Sequence, residues 1–295
     1  MFVATLVASA AIGQGDIAEA RNRLMAVGCV PGESRWIEAD KAADLFFEGD
    51  PVAARGALTG IGQRIDVILQ PVAHREKKLI VADMDSTMIT VECIDELADY
   101  AGIKTQIADI TERAMQGELD FAQALHARVM LLAGLDDAVI DQCRAERVRI
   151  MPGAKALIGT MRARGARAVL VSGGFTRFAE PVAAEIGFDM AVANVLDIVD
   201  GKLTGLVHDP IVDAERKRFE LGAAMVQSGI AREATMAVGD GANDIPMIEA
   251  AGMGVAYHAK AKARAAADAD IVHGDLSVLL YAQGIARTDW VEAPH

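Results

Sequence analysis

The chain has 295 residues, 52% of them hydrophobic and 24% charged, which is enough apolar side chain for one large and one small domain and too much for a disordered polypeptide. Forty-two acidic residues stand against 29 basic ones, a formal net charge of -13, which opposes partnership with nucleic acid or an anionic membrane surface. Three cysteines, Cys29, Cys93 and Cys143, show no paired spacing, so neither a disulfide framework nor a zinc site is expected.

Residues 2–12 form an apolar run with no Lys or Arg before it, too short to cross a bilayer. It is expected as the first strand of a cytoplasmic protein rather than as a signal peptide. An amphipathic stretch at 16–27, strands at 35–38 and 42–47, a helix at 51–61 and a strand at 65–72 follow. The order βαββαβ predicts a small α+β sandwich of ferredoxin-like form. The polar residues 74–78 (HREKK) read as a linker, dividing residues 1–74 from a second domain, 75–295.

The second domain opens on KLIVA at 78–82, an apolar run of the kind buried on both faces of a parallel sheet. Similar runs recur at 168–171 (AVLV) and 235–238 (TMAV), alternating with helical patterns such as 154–164 and 218–227. An α/β fold with a doubly wound parallel sheet is therefore expected. Residues 91–149 are helical in pattern and far longer than an ordinary βα connection. They are predicted to be a helical cap inserted between core segments 75–90 and 150–295, closing over the carboxyl edge of the sheet. Segments 194–199 and 202–207 around Asp200-Gly201 predict a tight β-hairpin at the sheet edge or as a flap.

Each of the three apolar strands ends in polar residues and glycine, at the edge where such sheets receive ligands. The first ends in Asp83-Met84-Asp85. Alone, this pair is as compatible with a solvated turn or a helix cap as with catalysis. Gly239-Asp240-Gly241-Ala242-Asn243-Asp244 ends another strand, and like carboxylates about 4 Å apart repel by ~4 kcal/mol at an effective dielectric near 20. A cation is needed, and an all-oxygen donor set favours Mg2+. Ser172-Gly173-Gly174 ends the middle strand and offers a hydroxyl with unobstructed N–H groups, as a phosphate requires, although SGG alone is merely a loop. Lys217, within Glu215-Arg216-Lys217-Arg218, is by itself most simply a solvated helix start.

Taken together, DMDSTMITVECIDELA, GELDFAQALHARVMLL, LVSGGFTRFA, GKLTG and AVGDGANDIPMI resemble the haloacid dehalogenase superfamily and, within it, the phosphoserine phosphatases, from about Lys77 to the end. The resemblance implies hydrolysis of O-phosphoserine, the last step of serine biosynthesis, through an aspartyl-phosphate intermediate. It implies Asp83 as nucleophile and metal ligand, and Asp85 as acid and then base with its backbone carbonyl on Mg2+. Asp240 is implied as the third ligand and Asp244 as support for the metal shell. Ser172, Gly173, Lys217 and Asn243 are implied as phosphate contacts. In the cap, Glu92 and Arg128 match the positions that hold the substrate's ammonium and carboxylate, with Phe121 packing nearby; His126 carries no implied role.

Arg128 can grip a carboxylate bidentately, although an unremarkable surface ion pair is the default for such residues. Other small phosphoesters, such as phosphothreonine or phosphohomoserine, are the alternative substrates, and a non-enzymatic amino-acid sensor is the alternative of a different class. The amino-terminal βαββαβ unit resembles the ACT-type domains fused to some of these phosphatases, which often bind amino acids and dimerise; it carries no ligand signature of its own, and a homodimer is one expectation.

Overall fold

The computed structural model describes residues 1–62, 64–115 and 118–291. Gly117, which opens the cap motif, and the last four residues of the expected core, 292–295, lie outside the described residues. The amino-terminal unit runs Phe2–Ala8 (β1), Gln14–Ala26 (α1), Val30–Glu38 (β2), Ala42–Glu48 (β3), Pro51–Leu58 (α2) and Ile65–Pro71 (β4). Its strands make one antiparallel sheet in the order β2-β3-β1-β4, the ferredoxin-like arrangement that the sequence predicted. Alternate side chains Ala4, Leu6 and Ala8 of β1 and Ala43, Leu45 and Phe47 of β3 share a core with Ile17, Ala20 and Leu24 of α1. Helix α2 starts where Asp50 accepts from the Val52 N–H at 2.9 Å and Pro51 takes the first position. Strand β2 is longer than predicted, because it is an edge strand with mostly exposed residues and two register irregularities, and so lacks the expected alternation.

Leu79–Ala82 (β5) begins the large unit. Four helices follow, Cys93–Tyr100 (α3), Lys104–Met115 (α4), Phe121–Met130 (α5) and Ala138–Arg147 (α6), in place of the predicted insertion. The chain then alternates Ala154–Ala163 (α7), Arg167–Phe175 (β6), Thr176–Ile186 (α8), Met190–Val199 (β7) and Lys202–His208 (β8). It finishes with Ala214–Ser228 (α9), Thr235–Gly239 (β9), Ile245–Ala250 (α10), Met253–Tyr257 (β10), Ala261–Ala266 (α11), Ala269–Ile271 (β11) and Val278–Ala282 (α12). The seven strands order as β11-β10-β9-β5-β6-β7-β8, parallel throughout except for the antiparallel β7–β8 pair. On β5, Ile80 and Ala82 enter one hydrophobic core and Leu79 and Val81 the opposite one. This two-sided burial is why the strand reads as a continuous apolar run.

The hairpin forms the sheet edge and also carries the cap. Gly134 N donates to Leu203 O at 2.7 Å and Leu203 N to Leu135 O at 2.9 Å, tying β8 to the loop between α5 and α6. Gly205 is needed there, since its φ is +86° and an added Cβ would lie 2.9 Å from that of Ala133.

The expected linker is not a solvated one. Arg75 makes two hydrogen bonds to Asp44, of 2.8 and 2.6 Å, and others to Ala282 O and Tyr281 O. Lys77 is buried, its Nζ donating to Glu233 O at 3.0 Å. These partners come from both units, Asp44 from the small one and Tyr281, Ala282 and Glu233 from the large one, so charges that look solvated in sequence instead pin the two together. Asp66 of β4 likewise accepts from the N–H groups of Val272 and Gly274, just beyond β11. All three cysteines are buried and free. Among the described residues, no helix is long and apolar enough to cross a membrane.

Candidate active site

The parallel register places the ends of β5, β6 and β9 side by side, since Ala82 pairs with Leu170 on one flank and Val238 on the other. Asp83 and Asp240 thus leave the sheet at the same level, with Ser172 to Gly174 beside them. Oxygens of Asp83, Asp240 and Asp244 all lie within 4.8 Å of one another. Three converging carboxylates with no soft donor suit a hard divalent cation. The carboxylate of Asp85 stands outside this group, consistent with an expected contribution through its main-chain carbonyl.

Lys217 is the residue whose bland reading the structure overturns. Asp213 caps α9 through the Arg216 N–H, which starts the helix earlier than predicted and turns Lys217 inward at 0% exposure. Its Nζ lies 2.6 Å from Asp83 Oδ1 and 2.7 Å from Asp244 Oδ1. The other Asp244 oxygen accepts from the N–H groups of Asp240 (3.1 Å) and Gly241 (2.9 Å). Asp244 therefore orients the lysine and the Asp240 loop, leaving little of its carboxylate for an ion.

Burial, followed by the charge of Asp244, raises the Asp83 carboxyl well above its ordinary range despite Lys217. Burial and then the charge of Glu92 push Asp85 up to about 7. Burial, Asp244 and Glu92 push Asp240 up to about 6. Burial opposes the charge on Lys217, but Asp244 and Asp83 outweigh it and hold the ammonium protonated. The crevice thus carries more negative charge than one lysine balances.

Ser172 Oγ accepts from Gly174 N at 2.9 Å, fixing the loop that ends β6. The cap reaches this loop, since a Cβ at Gly173 would stand 3.0 Å from the Phe121 ring. Ser86, with a left-handed φ of 55°, donates its hydroxyl to Glu92 Oε1 at 2.7 Å at the start of α3. Arg128 of α5 is half-buried; its Nε donates to Ala124 O at 3.2 Å, and no ion pair engages it among the described residues. Burial lowers its pKa, while Asp95 and Glu92 act in the opposite direction. Asn243 stands half-buried on the 3-10 turn Ala242–Asp244 at the crevice edge. His126 is exposed on α5.

Asn194 was not singled out in sequence, where it lies in an unremarkable strand. It is 1% exposed, and its amide spans two elements of the site. Nδ2 donates to Gly173 O at 2.8 Å and Oδ1 accepts from Val212 N at 2.8 Å, joining the SGG loop to the segment that leads into α9. A polar residue following the apolar run Met190–Ala193 was its only signal.

Similarity to known proteins agrees with this geometry. A phosphoserine phosphatase of Mycobacterium tuberculosis is 48% identical over 235 residues, covering 78% of this chain and 57% of that protein, so the chain spans little more than half of its length. The unliganded structure of a probable phosphoserine phosphatase from Vibrio cholerae superposes with a TM-score of 0.79 at 32% identity, covering 97% of this chain and 88% of that one. A phospho-aspartyl intermediate analogue of phosphoserine phosphatase superposes with a TM-score of 0.65 at 39% identity, covering 70% and 98%. The family model for haloacid dehalogenase-like hydrolases matches residues 80–249, a span that begins in β5 and takes in the cap, the SGG loop, Lys217 and Asp244. By this match and by its fold, the chain belongs to the haloacid dehalogenase-like hydrolase family.

Proposed function

We propose that this chain is a Mg2+-dependent phosphatase that hydrolyses O-phospho-L-serine to serine and phosphate. The observation that carries the reading is the buried contact of Lys217 with Asp83 beside Asp240 at the carboxyl edge of the sheet, in a chain similar to phosphoserine phosphatases. Asp83, Asp240 and the Asp85 carbonyl would hold the ion, with Asp244 behind them; the oxygen-only donors and their raised pKa values fit such a charge. When bound, Mg2+ supplies positive charge against the phosphoryl oxygens.

The Asp83 carboxylate attacks phosphorus, forming an O–P bond as the serine O–P bond breaks. Asp85, whose carboxyl burial pushes up to about 7, is protonated in about half of the molecules at neutral pH and gives that proton to the departing serine oxygen. It then takes a proton from the water that attacks the aspartyl-phosphate, releasing phosphate and restoring Asp83. Lys217, Ser172, Asn243 and the Gly173 N–H stabilise the phosphoryl charge. The non-reacting end of the substrate has one ammonium and one carboxylate, which Glu92 and Arg128 complement. Phe121 closes the crevice against water.

In this reading residues 75–90 and 150–295 are the catalytic core, 91–149 the cap, and 1–74 an ACT-like dimerising unit of a cytoplasmic enzyme. Phosphate release from phosphoserine, phosphothreonine and phosphohomoserine, with and without Mg2+, tests the assignment. Turnover should be greatest for phosphoserine, require the metal and vanish in Asp83→Asn. Wild-type turnover in Asp83→Asn would overturn the mechanism, and equal rates on all three esters the substrate.

A further inference from the structure

Asp66 is a buried carboxylate that the phosphatase reading leaves without a task. It lies on β4 at 3% exposure, and no ion pair engages it among the described residues. Its charge is met instead by the main chain of the large unit: the N–H groups of Val272, His273 and Gly274, directly after β11, donate to it at 2.9, 3.1 and 2.7 Å. An ionised carboxylate has acceptor sites for all three at once, so the turn after the outermost strand of the large sheet is held from the small one.

The turns after β11, β10 and β9 stand next to one another because these strands are parallel neighbours, and hydrogen bonds link them in series. Gly274 O, in the turn that Asp66 holds, lies 2.9 Å from His258 Nε2, which therefore carries the proton. His258 has a left-handed φ of 45°, a conformation that a residue other than glycine keeps only where its surroundings enforce it. Its own N–H donates to Ile271 O at 2.9 Å, and two residues on Lys260 N donates to Asp240 O at 3.0 Å. The N–H of Asp240 is taken by Asp244 at 3.1 Å. The main chain of Asp240 is thus fixed on one side by the crevice and on the other by segment 258–260.

We propose that Asp66 is a positioning residue for Asp240: by holding the 272–274 turn it fixes His258 and the segment after it, and through Lys260 N the carbonyl of Asp240. The amino-terminal unit then shapes a site to which it gives no ligand, through a contiguous set of hydrogen bonds. That Asp240 holds a cation rests on the phosphatase reading; the hold on its main chain does not. Removing a group that orients a metal ligand commonly weakens metal binding by about 10- to 100-fold. Asp66 acts from further out, so the low end of that range applies.

Hydrogen exchange of the full chain in EDTA, together with calorimetric Mg2+ titration, tests this role. Asp66→Ala should speed exchange at 239–241 and 258–260 roughly tenfold and weaken Mg2+ binding about tenfold. His258→Phe, at an exposed position and so able to fold whether or not Asp66→Ala does, should do the same, whereas His258→Gln, which keeps an N–H donor, should match the unaltered chain in both. Gln70→Leu breaks a different contact between the units, from Gln70 Nε2 to Ala282 O at 2.7 Å. It should lower stability and leave both readouts unmoved. Faster exchange confined to 272–278 in Asp66→Ala, unaltered exchange at 239–241 in His258→Phe, or equal loosening of 239–241 in Gln70→Leu would overturn the proposal. Absence of Mg2+ binding by the unaltered chain would sink the phosphatase reading alone, and exchange in EDTA would still decide the role of Asp66.

Discussion

Replacing Lys217 by Met keeps the length of the side chain and removes its charge from between two carboxylates. Nζ lies 2.6 Å from Asp83 and 2.7 Å from Asp244, at 0% exposure. At an effective dielectric near 20 each contact contributes ~6 kcal/mol of attraction, much of it offset by the desolvation of the ammonium. What remains after one partner of a buried pair is removed is a loss of about 3–5 kcal/mol, a large share of the stability of an ordinary domain. Urea denaturation at pH 7.5 in EDTA should show that loss for Lys217→Met. The deficit should shrink at pH 5. The Asp83 carboxyl is already raised by burial and by Asp244, so it takes up a proton as the pH falls and one of the two uncompensated charges disappears. Mg2+ should recover part of the loss at pH 7.5. Equal stability of the two proteins in EDTA at pH 7.5, or a deficit that grows on acidification, would refute the electrostatic account.

Three further outcomes follow from the same geometry. Arg128→Ala should raise KM for phosphoserine roughly 10- to 100-fold with a smaller change in kcat, because the contact lies at the non-reacting end of the substrate; steady-state kinetics at varied substrate check this, and an unchanged KM would remove the carboxylate clamp. Asn194→Ala leaves Gly173 O and Val212 N without their partner and should cost about 1–3 kcal/mol of stability, with a fall in kcat that Asn194→Asp does not fully restore, since a carboxylate cannot donate to Gly173 O; denaturation and turnover of both variants decide it. Asp240 must lose its proton to hold a cation, and its carboxyl is pushed up to about 6, so Mg2+ affinity should fall by up to about tenfold per pH unit below pH 6. The sign for stability is opposite: the native state holds this proton more tightly than the unfolded chain, so without metal the group's contribution declines as pH rises from about 4 to 6. Calorimetric Mg2+ titrations between pH 5 and 8 test the first point, and affinity constant from pH 5 to 7 would contradict it.

Much of the architecture was legible in the residues because it depends on short-range patterns. A strand buried on both faces must be apolar at every position, as β5 is, and a sandwich strand must alternate, as β1 does. The cap was visible as roughly sixty residues of helical spacing, 91–149, where a short connection was expected, and the hairpin as Asp200-Gly201 between two apolar runs. Edge strand β2 escaped in part because an exposed, bulged strand carries no such periodicity.

The carboxylates and the SGG loop were recognisable as polar residues at the ends of apolar strands. Their convergence followed from a parallel sheet, whose strand ends must lie on one edge. What local pattern could not reveal was the environment of individual charges. Lys217 and Arg75 each stand in a run of charged residues that reads as solvated, yet one is sealed between Asp83 and Asp244 and the other grips Asp44 across the two units. Asn194 and Gly205 likewise take their significance from chain segments distant in sequence. Apolar periodicity is imposed by each element's own geometry, whereas the burial of a charge is fixed only when remote partners close around it, and that is settled by tertiary packing.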